Sequence, residues 1–134
     1  MSKSNDLANL SNEQLIDAYI DLSRQQGLAT EKDDTRKYNR LFDKVAAISR
    51  ELRRRGDDVR KTMLIPLLKR SPSEATFDFK VAQRRYNAAM DLMAVAPEIA
   101  KPTLEELANG PLIDYRARAG GALLHLERGI WKPR

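Results

Sequence analysis

Between Asp57 and Gly110 the chain repeats a short helix, a loop and a longer helix at similar spacing, and this repetition constrains its fold more than any other feature. The first unit opens with Val59, Met63, Leu64, Leu67 and Leu68, an apolar helical pattern with Pro66 inside it. A loop follows, then Val81 to Leu92, an amphipathic stretch rich in alanine. Pro97 restarts the pattern through Leu104 and Leu107, and Pro111 opens another long helix. Pairs of this kind each need a neighbour to cover their apolar face, which is how stacked helical arrays arise. The expected fold class is therefore all-α, a right-handed α-α superhelix of about three stacked helix pairs. Helices one and two, three and four, and five and six are expected to pair, with the second helix of each pair lining the concave face.

Start and stop signals divide the chain into six helices. Ser11 and Gln14 are spaced as a capping box, with Leu10 and Leu15 as a hydrophobic staple. Leu15, Ala18, Tyr19 and Leu22 then form a buried stripe, and Gly27 is expected to end the first helix. The second begins near Asp33 or Asp34 and buries Tyr38, Leu41, Phe42, Val45, Ile48 and Leu52. Arg53-Arg54-Arg55 fall on its last turn before Gly56, where cations meet the negative end of the helix dipole. Pro66 predicts a kink in the third helix. Thr76 to Val81 alternates like a strand but finds no partner strand, so it is assigned to the start of helix four. That helix is expected to bury Ala82, Tyr86, Ala89, Met93 and Ala96. Helix five lies between Pro97 and Asn109-Gly110, bent or shortened by Pro102. Helix six runs from Pro111 to Gly129 and buries Leu112, Tyr115, Ala119, Ala122, Leu123 and Leu126, with Ile130 and Trp131 folding back onto the core.

A length of 134 residues suits one domain, residues 1–134, with residues 1–9 as a flexible tail. There are no cysteines, which excludes disulfides and thiolate metal sites. The N-terminal residues lack the apolar core of a secretion signal, and no apolar run approaches the ~20 residues needed to span a bilayer. The expectation is a soluble, cytoplasmic protein that uses no membrane. The net charge of +5 is unevenly spread: residues 1–34 hold three basic and seven acidic side chains, whereas 36–70 hold twelve basic and four acidic ones. Such polarity steers a domain toward an acidic partner, protein or nucleic acid, or else marks solvated helix faces.

Catalysis finds little footing. The one histidine, His125, lacks the companions of a zinc site, so no metal, cofactor or small-molecule substrate is expected. Of the carboxylate pairs Asp33/Asp34, Asp57/Asp58 and Glu105/Glu106, the first two sit where helices begin, which points to capping. Gly120-Gly121 lacks the phosphate-loop pattern and falls within a helix, where it is expected to mark a close approach by another helix or by a partner. Nucleic-acid binding through the basic block 36–70 is the alternative to protein binding. Against it, Tyr38 and Phe42 belong to the expected buried stripe and leave no stacking platform.

Leu64-Ile65-Pro66-Leu67-Leu68 and Arg84-Arg85-Tyr86-Asn87-Ala88-Ala89 resemble the two helices of HEAT and armadillo-like repeats, with Arg84 where that pattern has valine. More widely, Asp34-Thr35-Arg36-Lys37-Tyr38-Asn39-Arg40-Leu41-Phe42-Asp43, Glu51-Leu52-Arg53-Arg54-Arg55-Gly56, Ala94-Val95-Ala96-Pro97-Glu98 and Glu127-Arg128-Gly129-Ile130-Trp131-Lys132-Pro133 resemble an uncharacterised bacterial family of small HEAT/armadillo-like proteins, a domain of unknown function. This resemblance covers residues 10–133 and implies a curved helical stack. By analogy with small bacterial helical-repeat proteins, it implies a non-catalytic protein-binding role, such as an immunity or antitoxin-like partner of a toxin. Lys80, Arg84, Asn87 and Asp91 on helix four, with Asp114, Arg118 and His125 on helix six, are the expected partner-binding residues. They are expected to face solvent as one polar concave patch in which Arg84→Ala with Arg118→Ala weakens binding but leaves the melting temperature nearly unchanged, and the partner to present an acidic surface.

Overall fold

α1 (Asn12–Glu31) starts at Ser11, whose hydroxyl accepts from the Gln14 N–H at 3.1 Å while the Gln14 side chain accepts from the Ser11 N–H at 2.8 Å. This reciprocal box satisfies donors that a helix N-terminus otherwise leaves open. The computed structural model describes residues 7–74 and 77–134. α2 (Thr35–Arg55) is capped by Asp34, which accepts from Lys37 N–H, and it stops at Gly56, whose φ of 112° excludes most side chains. α3 (Asp57–Leu64) passes into a 3₁₀ turn, Ile65–Leu68, that contains Pro66. Proline cannot donate to the α ladder, so the predicted kink takes the form of a tightened turn.

α4 (Phe79–Leu92) is capped by Asp78, which accepts from Lys80 and Val81 N–H. Thr76, the expected first residue of that segment, lies outside the described residues. α5 (Pro97–Ala108) carries Pro102 in its interior, and α6 (Ile113–Glu127) starts two residues after Pro111. Beyond α6, Gly129 has φ 71°, Gly129 N–H donates to Leu126 O and Ile130 N–H donates to His125 O at 2.8 Å. Those paired bonds form a Schellman cap, and they turn Trp131 back onto the core as expected, whereas Ile130 stays exposed. Among the described residues the fold is all-helical and no strand occurs.

α4 is the central element, packed by α1, α3, the 3₁₀ turn, α5 and α6. α1 pairs with α2 and α5 with α6, as expected. The most extensive packing of α4 is with α1, however, and not with α3. Leu15, Tyr19, Leu52, Leu64, Leu92, Leu104 and Tyr115 are fully covered in the resulting core. Phe42, expected in the buried stripe of α2, is instead 56% exposed. Residues 1–6 of the expected tail lie outside the described residues. Leu7 packs against the core, and Leu7 and Leu10 carbonyls accept from Arg55 at 3.0 and 2.6 Å.

One glycine expectation is reversed, and of another the approach by a helix of this chain is not found. Gly27 does not end α1, which continues to Glu31. A Cβ at Gly27 would lie 2.5 Å from Phe79 O and 2.7 Å from Lys80 Cα, so this glycine is what lets the start of α4 touch α1. At Gly120 and Gly121 a Cβ would meet nothing within 4 Å, and no helix approaches there. Gly27→Ala must therefore push two backbones apart and should destabilise by about 2 kcal/mol or more, since overpacking typically costs ~1–3 kcal/mol. Gly120→Ala should stabilise by up to about 1 kcal/mol through helix propensity. Urea titrations of the two variants check both signs.

Glu51 gives a pH dependence. Its carboxylate accepts from Arg54 (3.0 and 2.6 Å) and Arg55 (2.8 Å), and these bonds, Arg54's foremost, hold it down at about 2 against an ordinary 4.5. A depressed folded value stabilises above the unfolded value and is lost as pH falls through the folded one. Stability should therefore decline from about pH 4.5 toward about pH 2. Glu51→Gln should be less stable at pH 7 and show a flatter profile across that window, as followed by thermal melts.

Candidate functional site

The polar residues of α4 do not share one solvent-facing stripe. Gln83, Asn87 and Asp91 recur every four residues on the side that meets α1, where Tyr19, Ser23 and Gln26 supply polar partners. Asn87 Nδ2 donates to Ser23 Oγ (2.9 Å) and Gln26 Oε1 (2.7 Å), and its Oδ1 accepts from Gln83 Nε2 (2.9 Å). Asp91 Oδ2 accepts from Tyr19 Oη (2.6 Å) and Ser49 Oγ (2.7 Å). Burial pushes the Asp91 carboxyl above its usual range, opposed by those two donors and by Arg60 and Arg53 nearby. The expectation that Asn87 and Asp91 face away from the core is thus corrected. Polar groups at helical spacing look alike in sequence whether they meet water or a matching polar row, and α1 carries the matching row.

Arg84 is also structural. It donates to Leu67 O (3.2 Å) and Lys69 O (2.6 Å) and pairs with Glu74 (3.1 Å), bracing the loop beyond the 3₁₀ turn. Arg85 donates to Leu68 O (2.7 Å) and forms a two-pronged pair with Glu106 of α5. Lys80 is exposed at the start of α4 and His125 near the end of α6.

On α6, Arg118 lies between two aromatic rings, its guanidinium carbon 4.4 Å from the Tyr38 centroid and 5.0 Å from that of Tyr115. It also donates to Thr30 Oγ1 and Gln83 Oε1. Burial raises the Tyr115 phenol to about 12, so the phenol stays protonated and donates to Gln83 Oε1 at 2.7 Å. Asp114 and Arg118 share a shallow hollow of about 70 Å³ with Asp33 and Asp34. The seven expected residues are therefore distributed among the α1–α4 seam, this hollow, the loop beyond the 3₁₀ turn that Arg84 braces, and two exposed ends.

A larger concavity of about 760 Å³ lies over α4, walled by α2 on one side and by Ile130–Arg134 on the other. Phe42, Tyr86, Met90 and Trp131 supply its apolar surface, Ser49 and Asp91 line it, and Arg50, Arg53, Lys132 and Arg134 also border it. The buried Arg60 fixes the C-terminal wall, because its Nη2 donates both to Asp91 O and to Arg134 O, each at 2.7 Å. Sequence reasoning missed this groove apart from Asn87 and Asp91. The available signal was that basic Arg50 and Arg53 share a helix with Phe42, while Trp131 and Lys132 follow a glycine cap. Among the described residues no group of three or more His, Cys, Asp or Glu side chains is placed to hold a metal ion. No helix there is long and apolar enough to cross a membrane.

The fold and the groove define an all-helical domain with a concavity that combines aromatic and cationic side chains. Residues 13–127 match the family described as Domain of unknown function (DUF2019), and the chain belongs to that family. It is similar to the crystal structure of the protein RPA1889 from the bacterium Rhodopseudomonas palustris CGA009, with a TM-score of 0.81 and 29% sequence identity over 96% of this chain and 98% of that one. No curated protein matches the chain.

Because Arg118 joins α1, α2, α4 and α6, its loss should be felt in stability, contrary to the sequence-based expectation. Arg118→Ala removes two hydrogen bonds and two ring contacts, and should cost about 1–3 kcal/mol in urea unfolding. Arg84→Ala should lower the melting temperature as well, by releasing the Leu67–Glu74 segment.

Proposed function

We propose that this chain is a non-catalytic protein-binding module, a HEAT/armadillo-like helical-repeat scaffold that engages an acidic partner surface in its groove. The observation that carries this reading is the pairing of apolar Phe42, Met90 and Trp131 with Arg50, Arg53, Lys132 and Arg134, none of which forms an ion pair among the described residues. Apolar contacts supply binding energy, while unpaired cations at the border favour and orient a partner of opposite charge. Stoichiometric binding of this kind suits an immunity or antitoxin-like protein that blocks a bacterial toxin in the cytoplasm. A toxin with an acidic face fits better than a nuclease, whose own surface must be basic to hold its substrate.

One observation favours a second reading. Arg36, Lys37, Arg40 and Lys44 are exposed on α2, and Phe42, elsewhere on the same helix, is open to stacking after all. A nucleic acid bound there through phosphates would show affinity that falls steeply with salt.

The test begins with proteins that co-purify with the tagged chain from its own cells, followed by reconstitution of the binary complex from purified components. Arg50→Glu with Arg53→Glu should weaken that complex at least tenfold while the melting temperature stays within a few degrees of wild type. Unchanged affinity would remove the groove from the function. Titration with duplex and single-stranded nucleic acid at about 150 mM salt should show no binding. A Kd of about 10⁻⁴–10⁻⁶ M or tighter that is lost on Arg36, Lys37 and Arg40 to Ala would favour the second reading.

A further inference from the structure

Asp91 is a carboxylate set against the lining of a groove otherwise bordered by cations. Both of its hydrogen bonds from the protein, from Tyr19 and Ser49, reach the same oxygen, Oδ2. Oδ1 has no partner among the described residues, although the residue lines the groove. A free acceptor in this position selects for a donor on whatever fills the cavity. A cationic donor would be repelled by Arg50, Arg53, Lys132 and Arg134, so charge selects a neutral one. The surrounding Phe42, Tyr86, Met90 and Trp131 select a flat apolar body. Tryptophan and tyrosine are the side chains that combine such a body with one neutral donor at the tip, which is why they serve as interface anchors.

Resting on the protein-binding reading above, we infer that the groove takes an acidic amphipathic helix whose tryptophan or tyrosine anchor donates to Asp91 Oδ1. The α2 wall from Phe42 to Arg53 is about 16 Å long at 1.5 Å per residue, room for three turns of a partner helix. Such a helix presents anchors at intervals of three and four residues, and its Asp and Glu side chains fall beside the bordering cations. A cavity of about 760 Å³ accepts the anchor side chains while the helix backbone remains outside. The complementarity is of charge at the border and of hydrogen bonding within the groove.

The test uses the full chain to select binders from a displayed library of helical peptides. Selected peptides should carry tryptophan or tyrosine flanked by Asp or Glu three or four positions away. One such peptide and its phenylalanine variant are then compared by fluorescence anisotropy. On the wild-type chain, loss of the donor should weaken binding about tenfold, the worth of a hydrogen bond to a charged acceptor. On Asp91→Asn, whose amide can keep accepting from Tyr19 and Ser49 while offering a donor to the groove, the two peptides should bind alike. Phe42→Asp should abolish binding of both. The wild-type comparison stands even if Asp91→Asn fails to fold. Equal affinity of the two peptides for wild type overturns the anchor while leaving the groove as the site. Binding that survives Phe42→Asp overturns the groove as the site while leaving the protein-binding reading in place. Failure to select any peptide, or selection of basic ones, overturns the acidic helix. A wild-type dimer dissolved by Phe42→Asp would replace it with a second copy of the chain.

Discussion

The structure depends on a polar seam between α1 and α4. Two side chains of α4, Asn87 and Asp91, meet Tyr19, Ser23 and Gln26 of α1 in hydrogen bonds of 2.6–2.9 Å, and Gln83 backs them by donating to Asn87 at 2.9 Å. Buried polar groups cost free energy unless each finds a partner, so this seam fixes one register between the helices where an apolar seam would tolerate several. Tyr19 sits opposite Asp91, Ser23 and Gln26 opposite Asn87, and Gly27 opposite Phe79 and Lys80, which makes the two helices antiparallel. The contact between Gly27 and the α4 backbone is the close end of that alignment. Among the described residues one group is left over: Gln26 Nε2 is buried without a partner there, a cost the remaining bonds must offset.

Once α4 is set against α1, the other elements follow from what α4 still offers. Arg84 and Arg85 reach the carbonyls of Leu67, Lys69 and Leu68, so they hold the 3₁₀ turn where the helical ladder has run out of donors. The same Arg85 engages Glu106 and so places α5. Gln83 spans the seam and the far side, accepting from Tyr115 and Arg118 of α6. At the C-terminal end of α4, Asp91 does two jobs: its side chain closes onto α1 and α2 through Tyr19 and Ser49, and its carbonyl accepts from Arg60, which also holds the C-terminal wall of the groove. The groove is therefore shaped by the same contacts that hold the core.

What the sequence shows well is local. The Ser11–Gln14 box, the Asp34 cap, Gly56 and the Gly129 cap are each decided within a few residues, and all stand where the pattern places them. What it hides is which face of a helix meets which neighbour. Gly27 has the spacing of a helix stop, but only the approach of α4, more than fifty residues away in sequence, explains it. Phe42 fits the period of the α2 stripe and yet lies beyond its edge, because no element covers that side of the helix. Gly120-Gly121 has the composition of a close crossing but faces open space. Polar spacing on α4 was legible as a stripe. Its burial was not, since that depends on the matching row on α1.

The basic block resolves by the same logic into two populations. Arg55 ties the segment before α1 to the end of α2, Arg54 with Arg55 holds Glu51, and Arg60 is 4% exposed beneath the C-terminal wall. These charges are committed to carbonyls and carboxylates of the fold, and removing one would strand its partners in a poorly solvated setting. Arg36, Lys37, Arg40, Lys44, Arg50 and Arg53 are exposed and outside every ion pair among the described residues. A count of +8 over residues 36–70 thus overstates both roles at once. The triple arginine shows this most clearly. Arg55 holds the segment Leu7–Asn12, Arg54 shares Glu51 with it, and Arg53 alone looks into the groove, so three adjacent identical residues on one helical turn meet three different environments about 100° apart.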